Sequence, residues 1–166
     1  MESAELKNLK ADVVVVGGGG AGMAAARAAA EKGARVIVLE KRGPGGSSAM
    51  AFGIYASESH VQKRLKIKGT NDEFFKEIMD WAHWRINPLL VRVIIDKSAD
   101  TIRWLEEKGL EFDCLPYLDY PGEQEKPTWH VPVGGGAALI KSLVQTAESM
   151  GVRIFKQSPA KKILTE

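Results

Sequence analysis

The sequence predicts an α/β fold, a parallel sheet wound with helices and interrupted by a mainly helical insertion. Three observations carry that expectation. Four consecutive valines, Val13 to Val16, run straight into a glycine-rich turn and an alanine-rich segment. A second apolar run, Val36 to Leu39, follows within about 30 residues, the length of one βαβ unit. Between Thr70 and Gly109 the apolar residues recur at helical spacing. The chain has 166 residues, 45% apolar and 27% charged, which is enough material for a real core.

Ala11 to Val16 is expected to be a strand buried on both faces, because an unbroken β-branched run suits a parallel sheet. Ala21 to Lys32 reads as helix, with Arg27, Glu31 and Lys32 on its wet side and Gly33 as a left-handed stop. Arg35 to Leu39 is the second strand, reached by a right-handed crossover. Lys41 to Ile54 is loop-like around Gly43-Pro44-Gly45-Gly46-Ser47-Ser48, and Ser57 to Gly69 is polar and basic. Thr70-Asn71-Asp72-Glu73 is a capping box, followed at helical spacing by Phe74, Phe75, Ile78, Met79 and Ala82. Asn87-Pro88 opens a helix through about Lys108, with Val91, Ile94, Ile95, Ile102 and Leu105 as its apolar stripe. Tyr117 to Thr128 is a loop. Gly134-Gly135-Gly136 leads into a helix from about Ala137 to Met150, and Val152 to Phe155 is a third parallel strand. The expected organisation is the first part of the parallel α/β fold over residues 1–55, a mainly helical insertion over 56–129, and the same fold continued but cut short over 130–166.

Several function classes are excluded. A net charge of +2 is too balanced for an electrostatic nucleic-acid binder. One cysteine, Cys114, rules out a disulfide framework and any multi-cysteine metal site, and points to a reducing cytoplasm. Neither H-E-x-x-H nor G-x-S-x-G occurs, so no metal site and no nucleophile elbow are expected. Val13 to Ala26 is uncharged, but glycines break it and Arg27 ends it short of a membrane span. Lys63, Arg64, Lys66 and Lys68 lack interleaved aromatics and read as a solvated loop with no nucleic-acid role. His130 with the Gly135 and Gly136 amides could form a carboxylate site, although a histidine satisfied by backbone is the favoured reading. His83 with Asp80 reads as a helix-surface pair, His60 carries no signal, and Cys114 reads as a core thiol.

The segment Gly17-Gly18-Gly19-Gly20-Ala21-Gly22 carries the functional argument. It is G-x-G-x-x-G between an expected strand and an expected helix, the setting that binds a dinucleotide. Gly17 permits the tight turn, Gly19 removes a Cβ where a pyrophosphate approaches, and Gly22 lets the helix pack on the sheet. Free N–H groups at the helix start then face the phosphates. Glu40 ends the second strand eighteen residues after Gly22, where an acid accepts ribose hydroxyls and disfavours a 2′-phosphate. The competing reading is a glycine-rich turn with no ligand.

These blocks resemble the FAD-binding domain of fumarate reductase and succinate dehydrogenase flavoproteins, a Rossmann-like fold. The resemblance runs from Asp12 through Gly33 to Lys41, and on through Gly45-Gly46-Ser47-Ser48, Asn87-Pro88, Trp104-Leu105-Glu106 with Gly109, and Gly134-Gly135-Gly136. That superfamily also holds aspartate oxidases, ketosteroid dehydrogenases and adenylylsulfate reductases. The resemblance implies pyrophosphate contacts from Gly17, Gly19, Gly20, Ala21 and Gly22, ribose contact from Glu40, and Lys41 beside the adenosine. It implies that Gly46, Ser47 and Ser48 to Gly53 run toward the isoalloxazine ring, and that Ala160 meets the adenine. Ser47 stands where succinate dehydrogenases carry the histidine that links FAD covalently, so FAD here is expected to be non-covalent. Gly53-Ile54 replaces a glycine pair. The family's proton-donating arginine, substrate histidines and C-terminal flavin segment have no counterpart in these residues, so no catalytic residue is assigned. The expected function is the FAD-binding part of an oxidoreductase that transfers hydride to or from a dicarboxylate-like or enone substrate, inactive by itself. The alternatives are an NAD-dependent dehydrogenase domain, and a non-catalytic truncated module that associates with a partner chain or with itself through exposed sheet.

Overall fold

The computed structural model describes residues 8–114 and 128–164. The expected loop before Thr128 and the core reading of the Cys114 thiol lie outside the described residues. In chain order the elements are β1 (Val13–Val16), α1 (Gly20–Glu31), β2 (Val36–Leu39), a 3-10 turn (Gly46–Met50), β3 (Ile54–Tyr55), α2 (His60–Arg64), α3 (Asn71–Trp81), α4 (Pro88–Glu106), β4 (Phe112–Cys114), β5 (Trp129–Pro132), α5 (Gly135–Ser149) and β6 (Arg153–Phe155). They fall into two compact units, Met1–Ala49 with Ile140–Glu166, and Met50–Leu139.

The first unit is built on a parallel sheet of order β1-β2-β6. Val13 pairs with Val36 and Leu39 with Phe155, so the three expected strands are in place. Asp12 locks the start of this sheet by accepting from the Arg35 N–H at 2.8 Å and its guanidinium at 2.9 and 2.7 Å. The central strand is buried throughout its first three residues, Val36, Ile37 and Val38. The edge strand β1 is not buried on both faces as expected: Val14 and Val16 are 55% and 64% exposed. Alternate residues of a strand point to opposite faces, and α1 packs on the face that carries Val15. Arg27 is a second correction. It is 1% exposed and ion-pairs with Glu31, whereas its charge placed it on the wet side of α1. Its position one turn after Met23, on the helix face that also buries Ala26, explains the difference.

The second unit joins helices to a small antiparallel sheet of order β3-β5-β4. The sequence signals for α3 and α4 hold. Thr70 and Glu73 form the capping box reciprocally, and the Asn87 side chain accepts from the Leu89 N–H at 2.9 Å. Phe74 and Met79 of α3 meet Val91 and Ile95 of α4, while Ala56, Val61 and Ile102 form a second cluster. Ile94 is 58% exposed, not part of the stripe. Ser98 fills the buried row between Ile95 and Ile102, where its hydroxyl accepts from the Ser57 N–H at 2.9 Å. His83 lies beyond the end of α3, and the Asp80 carboxylate instead takes Lys76 and the Trp84 indole N–H. The three strands of this unit and the five-residue α2 are additions to the expected helices. Segments of two to five residues are too short to show a period.

Candidate functional site

The predicted nucleotide turn lies wholly in the first unit, between the end of β1 and the start of α1. A second glycine-rich segment is strapped to it. Gly19 and Gly45 form a parallel bridge, and the Gly45 N–H donates to the Gly18 carbonyl at 2.8 Å. Ser48 then closes the strap, accepting from the Gly20 N–H at 3.2 Å. The resemblance implies a loop from Gly46 to Gly53 that runs past the pyrophosphate; the bonds that strap it to the turn have no sequence trace beyond the glycine and serine content of residues 43–48.

The glycines sort by physical cause. Gly17 has φ +102°, in the left-handed region that glycine alone enters without strain. A Cβ at Gly22 would lie 2.0 Å from the Gly17 carbonyl oxygen, so the helix can approach the strand only without a side chain. A Cβ at Gly18 would press on Pro44 and Glu40, and one at Gly20 on the Ser48 hydroxyl. Gly19 is different. Its φ is −76°, and a Cβ there would meet only the Gly45 oxygen, at an ordinary 3.7 Å. Nothing within the chain requires glycine at that position.

Gly19 is also the N-cap of α1, and it offers no side-chain acceptor to the first-turn amides. Such amides lack partners inside a helix, and they carry the positive end of its dipole. Ser48 takes the Gly20 N–H, which leaves those of Ala21 and Gly22 for an anion.

Glu40 is nearly buried, and both of its carboxylate oxygens are engaged. One accepts from the Gly18 N–H at 2.7 Å and the other from the Arg42 N–H at 2.9 Å. These two backbone bonds hold its pKa below the usual glutamate value, so it is ionised at neutral pH. Each oxygen keeps a lone pair for a further donor. The chain after β6 returns to the same place: the Ser158 N–H donates to the Glu40 carbonyl at 2.9 Å and the Gln157 N–H to Arg42 at 3.0 Å. Ala160 follows two residues later and is exposed, as are Lys41, Gly46 and Ser47. Gly53 falls in the second unit. A Cβ there would lie 3.0 Å from the His130 carbonyl oxygen, so its lack of a side chain has an internal cause.

His130 is fully buried in the second unit. Its Nδ1 donates to the Thr128 carbonyl at 2.9 Å, which leaves Nε2 to accept from the Ser59 hydroxyl at 2.7 Å. Burial pushes its pKa down. The Gly136 N–H is committed to the Ala51 carbonyl at 3.0 Å, so the bland reading of this histidine stands. Among the described residues no group of three or more His, Cys, Asp or Glu is placed to hold a metal ion. No described helix is long and apolar enough to cross a membrane.

The residues present fit a dinucleotide. They combine a turn open at Gly19, helix-start amides for a pyrophosphate, and an ionised acid at the end of β2 for ribose hydroxyls. The profile of a family described as the FAD binding domain matches residues 12–166. A vinyl phenol reductase of Lactiplantibacillus plantarum is 37% identical over 151 residues, which are 90% of this chain and 30% of that protein. An NADH:fumarate oxidoreductase of Klebsiella pneumoniae is 32% identical over 158 residues, 92% of this chain and 17% of that protein. Among solved structures, the open conformation of a flavocytochrome c3 fumarate reductase superposes with a TM-score of 0.80 at 28% identity, covering 92% of this chain and 27% of that one. A 3-ketosteroid-Δ4-(5α)-dehydrogenase from Rhodococcus jostii RHA1 gives a TM-score of 0.78 at 28% identity, covering 93% and 39%. The chain thus spans less than a third of the length of these curated relatives. Fold, turn and family profile agree: the chain belongs to the FAD-binding domain family of fumarate reductase-like flavoproteins, and FAD is its cofactor.

Proposed function

We propose that the first unit holds the ADP half of FAD without a covalent link. In this reading the Ala21 and Gly22 amides bind the pyrophosphate at the turn made by Gly17, Gly19 and Gly20. Glu40 accepts the ribose hydroxyls with Lys41 alongside, and Ala160 meets the adenine. Gly46, Ser47, Ser48 and Gly53 belong to the stretch that leads toward the flavin ring. Gly19 is the observation that carries the proposal: glycine occupies the one place in the turn where the chain itself has no use for it. Serine at position 47 has no imidazole to bond a flavin, which supports the non-covalent state.

When bound, the flavin supplies hydride-transfer chemistry. The chain's own residues bind and orient it. Fumarate and vinyl phenols, named in the relatives, share an activated carbon–carbon double bond. We therefore assign the complete protein to the reduction of an activated alkene of the dicarboxylate, enone or vinyl phenol kind. Substrate binding is assigned to sequence corresponding to the remainder of the longer relatives, on the same polypeptide or on a partner chain. The low cysteine content supports a cytoplasmic setting.

The test is FAD uptake read by visible absorption after removal of excess cofactor. The wild-type chain is expected to acquire flavin bands that leave with the filtrate on heat denaturation. Gly19→Ala is expected to reduce uptake at least about tenfold, or about 1.4 kcal/mol, while its stability stays within about 0.5 kcal/mol of wild type. Equal uptake by wild type and variant would overturn the site, and flavin retained by denatured protein would overturn the non-covalent link.

A further inference from the structure

The basic run of residues 63–68 has no part in the cofactor site, and its structure differs from the solvated loop its composition suggests. We infer that it is a docking surface for a folded protein partner that presents an acidic patch. Lys63, Arg64, Lys66 and Lys68 are all exposed, and none of the four makes an ion pair among the described residues. Elsewhere in the same unit Lys76 pairs with Asp80, Arg92 with Asp72 and Asp96, and Arg103 with Asp100, while Arg85 and Lys97 are exposed single cations with no ion pair among the described residues. The single acid between residues 57 and 69 is Glu58, whose carboxylate accepts from the Asn71 N–H at 2.9 Å. Four unpaired positive charges therefore stand together in a chain whose net charge is +2.

These charges sit on a rigid mount. Ser59 and Gln62 form a capping box at the start of α2. At its end the Lys66 N–H donates to Lys63 at 3.1 Å and the Ile67 N–H to Gln62 at 3.0 Å, a Schellman closure. Val61 and Ile67 anchor the segment in the Ala56–Ile102 cluster. The closure places Lys66 at φ +57°, a position that favours glycine. Leu65, 52% exposed, stands at the centre of the run. An exposed apolar residue flanked in sequence by positive charges suits a protein interface, where complementary charge sets encounter rate and register.

Other polyanions fit less well. Single-stranded nucleic acid calls for stacking aromatics, and none lies within the run. An anionic membrane calls for a longer amphipathic helix than the five residues of α2. The inference does not depend on the cofactor reading, and its test requires no FAD.

The test is fluorescence anisotropy on the full chain with three probes. These are a short fluorescein-labelled peptide of glutamates around one leucine, phosphatidylserine vesicles, and labelled oligothymidylate. The peptide is expected to bind with an affinity that falls as salt is raised. Lys63→Glu with Lys68→Glu should weaken it at least about tenfold, and Leu65→Ser several-fold without changing the salt dependence. The control Lys97→Glu with Lys161→Glu should bind as wild type. Lys63→Gln with Lys68→Gln, which keeps side-chain size, should lose intermediate affinity and guards against misfolding of the charge reversal. Indifference of the peptide to these substitutions would overturn the proposal, and so would tighter binding of vesicles or oligothymidylate than of peptide.

Discussion

Gly22 and Gly19 belong to one turn, but substitution at the two is expected to fail in different assays. Gly22→Ala places a methyl against the Gly17 carbonyl oxygen, a backbone atom that cannot move without shifting β1. We expect a loss of at least about 1–3 kcal/mol of stability, measured by denaturant unfolding. Gly19→Ala meets no such neighbour, and its unfolding midpoint should stay within about 0.5 kcal/mol of wild type. His130 gives a residue-scale prediction of pH dependence. Its folded pKa lies below its ordinary value of 6.5, so the unfolded chain binds the proton first as pH falls. Its contribution is fully present above about pH 6.5 and is lost progressively below it. Unfolding followed from about pH 7.5 to about pH 5.5 should show falling stability, with a shallower slope in His130→Gln. Glu40 and Asp12, whose pKa values are both lowered by hydrogen bonds, act in a separate, more acidic window. Their contribution is present above the ordinary carboxylate range and lost below it.

At the scale of elements, local chemistry decided where helices begin. The α3 capping box satisfies two otherwise orphaned amides, and Thr70→Ala should lower stability by about 1 kcal/mol in thermal unfolding. The other end of a helix supplies the opposite test. Lys66 occupies the left-handed closing position of α2, so Lys66→Gly should raise the melting temperature slightly, equivalent to about 0.5 kcal/mol. These signals were legible because a cap is a contact between residues two or three apart. The apolar stripe of α4 was legible only in part. Ile94 and Ile95 are adjacent and equally apolar, and only the position of α3 selected Ile95 for the core. The strands β3, β4 and β5 left no periodic trace; each exists through pairing with a partner distant in sequence.

At the scale of the whole molecule, the apolar exposure of β1 has a consequence in solution. Val14 and Val16 leave a β-branched face open on a strand with no neighbour on its outer side among the described residues. Such edges template pairing with another copy. Light scattering of the isolated chain should show association that rises with concentration, and Val14→Lys with Val16→Lys should restore a monomer. A monodisperse wild-type monomer would count against this. The same chain spans less than a third of the length of its curated relatives.

The sequence by itself determined the βαβ frame, the capped helices and the nucleotide turn, because each is written in short-range spacing. Turn, cap and acid recur at fixed offsets along the chain, and Glu40 was found by counting from Gly22. Tertiary structure alone decided which glycines of the turn the fold requires, and that Gly19 is not one of them. It also decided that Glu40 braces Gly18 while remaining ionised, that Ser48 replaces the missing cap of α1, and that Arg27 and His130 are buried. The physical reason is common to all of these. Burial and hydrogen-bond satisfaction depend on which distant segment packs alongside, and no local period records that.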